Sequence, residues 1–369
     1  CWNPTTGLPF DSCDWQYFTY WGMASYVIAL LYANRLGIVS DPDFRHRTEK
    51  ILNFLNEVPL PPDFYGLPHS LYDANSAQPV SDAGQTNAAD YGRFLIASFH
   101  LREHLKSKSL EALASQVDAA VSRVNVDRAV SWLQTDLYSY YVSLGFMLWG
   151  KNVSLAQNGF RSRIQSGAFV DSASMYGISG IPDRTRIDSE PFTDAILEVG
   201  GVPQVTGLAS WGDFLRLGRL VYDAQEKRSA ATGKPEFWTG GGLDFDPGFV
   251  SEWVVWDTGA TWVTLRGDGT PFTDPKLPVA YLKLMFAYNA LYDTSYTENM
   301  LNKYASQLQT TNGFKEGIYA NGAINNNVQI QTNQIILSAA RYATQGNAVS
   351  DAPGLGNVAI ISVLLLTAV

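Results

Sequence analysis

The sequence predicts an all-α fold in which helix pairs stack into a ring. Three observations predict it. Long apolar-periodic segments recur in pairs across short joints, strand signals are few, and the loops between helices are rich in aromatics, glycine and carboxylates. Loops of that composition on one rim of a ring suit a sugar-binding cleft. Sugar rings stack on Trp and Tyr, and glycosidic bonds are cleaved by carboxyl pairs.

The first pair sets the pattern. Trp15–Leu36 carries Phe18, Trp21, Met23, Tyr26, Ile28, Leu30 and Leu31, apolar on nearly every side, so a deeply buried helix is expected, ending at Gly37. Asp41-Pro42 then opens Pro42–Asn56 with a cap residue followed by proline at the first helical position. Its inward residues are Phe44, Ile51, Leu52 and Leu55. Further helices are read at Thr86–Leu105, Leu110–Asn125, Val126–Gln134, Leu137–Leu148, Leu155–Ile164 and Pro191–Val199. The series continues with Trp211–Ala231, Asp274–Leu291, Thr297–Gln309 and Val328–Tyr342, making about twelve helices. Trp253–Trp256 and Thr261–Leu265 read as one small hairpin around Asp257-Thr-Gly259.

No composition break precedes about residue 345, so residues 1–345 are expected to form one domain. Gln345–Asn357 is rich in Gly, Ala, Pro and Asn, like a linker. Val358–Val369 is apolar but shorter than the about 20 residues a bilayer span requires. Three readings of this tail stand: packing on its own domain, the stub of a processed anchor, or self-association by strand donation.

Composition narrows the function. Of 369 residues, 46% are hydrophobic and 17% charged, which describes a globular chain. A net charge of −9 without a basic stripe excludes nucleic acid as partner and favours a neutral polysaccharide or oligosaccharide. Aromatics at 13%, ten of them Trp, exceed what a helical core needs, so some are expected in a groove; the alternative is that they fill gaps between large helices. Cys1 and Cys13 can close a 13-residue loop in an oxidising compartment, against a lipid-bearing Cys1 or two idle thiols. A chain opening on Cys without Met suggests processing, and a secreted, periplasmic or cell-surface location is expected. Asn152-Val-Ser154 is a glycosylation acceptor if the host modifies such sites.

Several segments could carry chemistry. Asp188-Ser-Glu-Pro-Phe192 sets Glu190 at a helix start beside a loop rim, either as a catalytic acid or in an ordinary dipole role. Asn312-Gly-Phe-Lys-Glu-Gly-Ile-Tyr319 holds Glu316 between glycines with aromatics nearby. Glu316 reads as a second carboxylate, a sugar-hydroxyl ligand, or a turn residue paired with Lys315. Tyr72 and Asp73 read as a stacking ring beside an acid, with Asp82 and Asp90 following. Glu252 and Asp257, among Trp253, Trp256 and Trp262, form another candidate rim, with Glu252 alternatively an exposed strand end. Tyr72, Trp253, Trp256, Trp262 and Tyr319 are the expected sugar-stacking rings.

Other motifs fail. His100-Leu-Arg-Glu-His104 lacks the glutamate that a zinc-protease helix places after its first histidine, and reads as a polar helix face. Asp244-Phe-Asp246-Pro-Gly248 lacks the remaining ligands of a calcium loop, and Gly240-Gly-Gly242 opens no phosphate loop. No metal or cofactor is expected.

The order of segments resembles bacterial glucoamylase-like proteins with an (α/α)6 toroid, including an exopolysaccharide-associated surface family. The matching pieces are Thr6-Gly-Leu-Pro-Phe-Asp11, Ala24-Ser-Tyr26, Leu36-Gly-Ile38 with Phe44-Arg45, and Leu60 with Gly66-Leu-Pro68 and Tyr72. Ser189-Glu-Pro-Phe192, Gly313–Tyr319, Gln331-Thr-Asn333 and Ile335-Ile-Leu337 complete the series over roughly residues 5–343. The resemblance implies glycoside hydrolysis or polysaccharide binding, with Glu190 the leading acid. The family often has Asp after the Trp of the first helix, where this chain has Trp21-Gly22, and that departure favours a noncatalytic alternative.

For an enzyme, sequence-distant acids favour inversion, with Glu190 as acid and Glu316 or Asp73 as base, roughly 6.5–9.5 Å apart. The competing class is a noncatalytic carbohydrate-binding or self-assembling surface protein that keeps the toroid. A lyase or terpene cyclase is disfavoured, since no extra β domain or Asp-rich motif is evident.

Overall fold

The computed structural model describes residues 1–165, 187–252 and 263–345. The expected stacking rings Trp253, Trp256 and Trp262, the turn at Asp257, and the linker and tail from residue 346 lie outside the described residues. The fold is all-α in class: among the described residues there are thirteen α-helices, and every strand is two to four residues long. The chain divides into two compact units, Cys1–Ala156 with Gln329–Leu337, and Gln157–Val328 with the remainder.

In the first unit the helices are α1 (Tyr20–Arg35), α2 (Asp41–Glu57), α3 (Ala88–Ser107), α4 (Glu111–Ser122), α5 (Val126–Val130) and α6 (Leu137–Leu148), with the start of α7 (Ser154–Gln165). α3 is central: it packs on α1, α4 and α6. Strands β1 (Tyr17–Phe18), β2 (Tyr72–Asp73) and β3 (Gln78–Pro79) form one antiparallel sheet. α1 begins at Tyr20 and not at Trp15, because Thr19 caps it by accepting from Gly22 N, while the two residues of β1 pair with β2. The bond between Cys1 and Cys13, with Cα atoms 5.3 Å apart, closes the N-terminal loop.

His100 and His104 do not form a polar face. Both are buried, because α3 is enclosed by helices on several sides. His104 Nδ1 accepts from Arg35 at 3.4 Å, which leaves Nε2 to donate to Asn34 Oδ1 at 2.9 Å. Burial, helped by Arg35 and Lys108, lowers the His104 pKa to about 4. A histidine depressed in this way contributes stability above the unfolded value near 6.5 and loses it as pH falls towards 4. Acidification from pH 6.5 to 4 should therefore cost on the order of 2 kcal/mol at this residue. Thermal melts of wild type and His104→Gln across that range check it, the variant showing the shallower decline.

The second unit carries the rest of α7, then α8 (Glu190–Val199), α9 (Pro203–Thr206), α10 (Trp211–Thr232), α11 (Leu282–Tyr292) and α12 (Ser295–Leu308). α13 (Ile330–Gln345) has its first residues in unit one and its last in unit two. Strands β4 (Gly240–Gly242), β5 (Phe249–Glu252) and β6 (Thr264–Arg266) form an antiparallel sheet, with Ser251 opposite Leu265. β7 (Val279–Tyr281) pairs with β10 (Gly317–Tyr319), which pairs with β11 (Ile324–Asn325); β8 (Gln309–Thr310) and β9 (Gly313–Phe314) form a separate ladder. α11 starts at Leu282, eight residues later than Asp274. Pro278 cannot donate a backbone hydrogen bond and forces Leu277 towards an extended conformation, so Val279–Tyr281 joins a sheet. No helix among the described residues is long and apolar enough to cross a membrane.

Candidate functional site

The expected acid Glu190 is the first residue of α8, ahead of Pro191. Asp188 Oδ1 accepts from Glu190 N at 2.9 Å. Ser189 is clamped as well: its hydroxyl donates to Trp238 O at 2.9 Å and accepts from Gln225 Nε2 at 2.7 Å, while Gln225 Oε1 accepts from Trp238 N at 2.6 Å. This network, buried throughout, fixes where the helix starts and hence where Glu190 sits.

The Glu190 side chain is 3% exposed and ion-paired: Lys283 Nζ lies 3.1 Å from its Oε2, and Lys283 is fully buried. A buried pair of this kind is costly to break from one side, by about 3–5 kcal/mol, because the remaining charge is stranded. The sequence reading missed Lys283. The available signal was a single lysine in the otherwise apolar run Val279–Tyr288.

Glu316, also fully buried, lies between β9 and β10. Its carbonyl accepts from Leu282 N at 2.8 Å and its own N–H donates to Asn327 O at 2.9 Å. The next residue, Gly317, is required by close approach, since a Cβ there would overlap the carbonyl oxygen of Ala280. Glu252 ends β5 and is a buried group, not an exposed strand end. Its two carboxyl oxygens face Val279 N at 3.0 and 3.3 Å.

Three carboxyl-bearing residues are thus tied to the stretch Val279–Lys283: Glu252 through Val279 N, Glu316 through Leu282 N, and Glu190 through the Lys283 side chain. Burial holds the Glu252 carboxyl well above the usual range, the bond from Val279 N works against this, and nearby Glu236 adds to it. An acid whose folded value is raised keeps its proton in the native state, so its stabilising contribution fades as pH rises above about 4.5. Glu252→Gln should accordingly gain thermal stability over wild type between pH 5 and pH 8, with little difference at pH 4.5; calorimetry at the three values checks it.

The other expected residues have structural duties. Asp73 belongs to unit one, whereas Glu190 and Glu316 belong to unit two. Its carboxylate accepts from Asn75 N at 2.8 Å and Ser76 Oγ at 3.0 Å, holding the β2–β3 turn. Tyr72 is a core ring, fully buried and stacked on Phe18 with centroids 5.4 Å apart, and its hydroxyl oxygen accepts from His69 N at 2.9 Å. Tyr319 is buried too and donates to Asp244 Oδ1 at 2.6 Å. Asp244 also accepts from Asn326 N at 2.8 Å, so the segment that faintly resembled a calcium loop acts as a strap. Asn152 is exposed, its side-chain oxygen accepting from Ser154 N at 3.1 Å.

Unit one holds a second polar cluster. Asp11 Oδ2 accepts from Thr19 N at 3.1 Å and Thr19 Oγ1 at 2.9 Å, backing the cap of α1. A Cβ on Gly22 would overlap Asp11 Oδ1, so the carboxylate fills the place a side chain at position 22 would take. Burial, offset by the Thr19 hydrogen bonds and reinforced by Asp90, raises the Asp11 pKa to about 7, and burial raises Asp90 to about 6. Arg93 is fully buried, with its guanidinium carbon 4.4 Å from the Trp21 ring centre and bonds to Ser25 Oγ at 2.6 Å and Gln334 Oε1 at 2.7 Å.

Solved structures share this fold. A glucoamylase-like protein from Bacteroides fragilis superposes with a TM-score of 0.67 at 12% identity, covering 99% of this chain and 92% of its own. An endo-β-1,2-glucanase from Chitinophaga pinensis, in complex with sophorotriose and glucose, gives 0.66 at 12% identity, covering 100% and 93%. An endo-β-1,2-glucanase from Talaromyces funiculosus, with sophorose, gives 0.62 at 11% identity, covering 99% and 82%. The protein therefore has the glucoamylase-like helical fold that the order of its segments resembles. The chain belongs to the family described as protein of unknown function DUF3131, whose profile matches residues 1–346. No curated protein matches it significantly.

Proposed function

We propose that the protein is a glycan-active glycoside hydrolase that uses paired carboxyl groups on a neutral polysaccharide. The observation that carries this reading is the convergence of Glu190, Glu252 and Glu316 on Val279–Lys283, in a fold shared with endo-β-1,2-glucanases. Glu190 is the proton donor to the leaving oxygen, delivering the proton it shares with Lys283, and Glu316 is the carboxylate that takes a proton from attacking water. Asp73 is the weaker base candidate, since its oxygens already hold a turn. A β-linked glucan is the substrate class to try first, because two of the similar structures hold sophoro-oligosaccharides. The bond between Cys1 and Cys13 supports an oxidising location, at the cell surface or beyond.

A second reading, a noncatalytic glycan-binding or self-assembling surface protein, is favoured by the burial of Tyr72 and Tyr319 in the core. The deciding experiment incubates the protein with linear β-1,2-glucan, starch and a panel of bacterial polysaccharides and measures reducing ends alongside binding. New reducing ends support the hydrolase. Binding without release from any glycan transfers the assignment to the second reading.

A further inference from the structure

Strand β1 turns its two residues to opposite sides of the sheet it shares with β2 and β3. Phe18 goes inward and stacks on Tyr72, its partner across the ladder, while Tyr17 goes outward and stands opposite Asp73. Asp73 in turn stands opposite Gln78 of β3. Side chains on one rung of a sheet share a face, so Tyr17, Asp73 and Gln78 make one outward row about 10 Å across. Trp15, two residues before Tyr17, joins this row: the two ring centres lie 5.3 Å apart, with the planes tilted by 51°. Trp15 is 43% exposed and Tyr17 37%. The ring that stands beside Asp73 and faces solvent is therefore Tyr17, not Tyr72.

The row is held in place by its backbone. Asp11 N donates to Tyr17 O at 2.9 Å, Trp15 N to Ser12 O at 3.0 Å and Ala74 N to Gln16 O at 3.1 Å. The bond between Cys1 and Cys13 closes the loop that leads to Trp15. Rings fixed in advance lose little freedom when a ligand arrives. Each oxygen of the Asp73 carboxylate accepts one hydrogen bond, from Asn75 N and from Ser76 Oγ, whereas a carboxylate has about four acceptor positions. The remainder can accept from sugar hydroxyls, and the exposed amide of Gln78 can donate to sugar oxygens.

We propose that this outward row is a glycan-binding site on unit one. A single neutral polysaccharide chain would stack sugar rings on Trp15 and Tyr17 and hydrogen-bond its hydroxyls to Asp73 and Gln78. The size of the patch selects this partner. Two partly exposed rings offer on the order of 200 Å², against roughly 800 Å² per partner in a stable protein–protein interface. Ring, carboxylate and amide side by side match the apolar face and hydroxyl rim of a sugar. Rings tilted by 51° do not both lie on a flat crystalline glycan surface, so the ligand is a free chain whose successive sugars turn. The inference rests on the glycan-active reading, but not on hydrolysis.

The test is affinity electrophoresis of the whole protein through gels containing linear β-1,2-glucan, starch or the bacterial polysaccharides of the hydrolysis panel. At least one should retard wild type. Trp15→Ala and Tyr17→Ala should each weaken that binding by about 10-fold, and Gln78→Ala by about 3-fold. The double variant Trp15→Ala with Tyr17→Ala should run freely. All three side chains are exposed, so melting temperatures should stay within about 2 °C of wild type. If the ring variants melt much lower, Gln78→Ala decides. A double variant retarded as strongly as wild type overturns the proposal, and so does a wild type that no polysaccharide retards. A wild type that self-associates in sedimentation velocity, with the double variant monomeric and neither retarded, overturns it in favour of a second copy of the chain. Failure to hydrolyse any glycan removes the hydrolase reading alone, because retardation still decides this site. Hydrolysis without retardation removes this site alone.

Discussion

Glu190→Gln should lower glycan hydrolysis by about 10²-fold or more, because the amide keeps the shape of the side chain but has no proton to transfer. The structure adds a second expectation. The Glu190 partner is the fully buried Lys283, 3.1 Å away, so the amide removes the negative charge beside a buried ammonium and should destabilise the protein by about 3 kcal/mol. A lower rate could then come from either cause. The double variant Glu190→Gln with Lys283→Met separates them, since removing both charges should recover much of the stability while leaving hydrolysis low. Reducing-end release and melting temperature, read on wild type and the three variants, check the expectation. Release that recovers together with stability would take Glu190 out of the proton-transfer role.

Gly22→Ala should be the most disruptive small change in unit one. Its Cβ would overlap the carboxylate of Asp11, which must then leave Thr19, so overpacking and loss of the α1 cap act together. The expected cost is about 2–4 kcal/mol, or roughly 5–10 °C in melting temperature. Asp11→Ala combined with Gly22→Ala should cost less than the sum of the two single changes, since the clash disappears once the carboxylate is gone. Melting temperatures of the four proteins check this, and strict additivity would mean that the two residues do not share the space. This contact also gives a physical account of the departure at Trp21-Gly22: an aspartate at position 22 and the present seat of Asp11 exclude each other.

How much was legible in the sequence varies from element to element. The first helix was read five residues early, because the cap at Thr19 went unrecognised. The second, although its cap is Ser40 and not Asp41, was readable within a residue or two because proline at position 42 is a local signal. The start of α8 at Glu190 was readable for the same reason. Asp274–Leu291 was misread as one helix because its apolar residues satisfy a helical period, whereas Pro278 and the pairing of Val279–Tyr281 with β10 decide otherwise. That pairing is a contact between distant segments, invisible to a local window, and it placed Tyr281 and Lys283 beyond reach of the reading. Glu316 was picked out by its flanking glycines, one of which the backbone of Ala280 indeed demands. Tyr72 and Tyr319 were taken for sugar-stacking rings on composition, but burial is settled by tertiary packing, which composition does not encode.

Hanging three acids on one short segment has a consequence for how this protein can change over generations. Glu190, Glu252 and Glu316 come from sequence positions far apart, yet each is tied to the short run Val279–Lys283, where β7 passes into α11. Slipping β7 by one residue would turn its side chains to the opposite face of the sheet and carry the start of α11 with it, displacing all three reference points together. Loop insertions can lengthen or reshape the surroundings without touching this frame. Descendants are therefore free to vary what the surrounding loops recognise, while the spacing of the acids is inherited whole or lost whole.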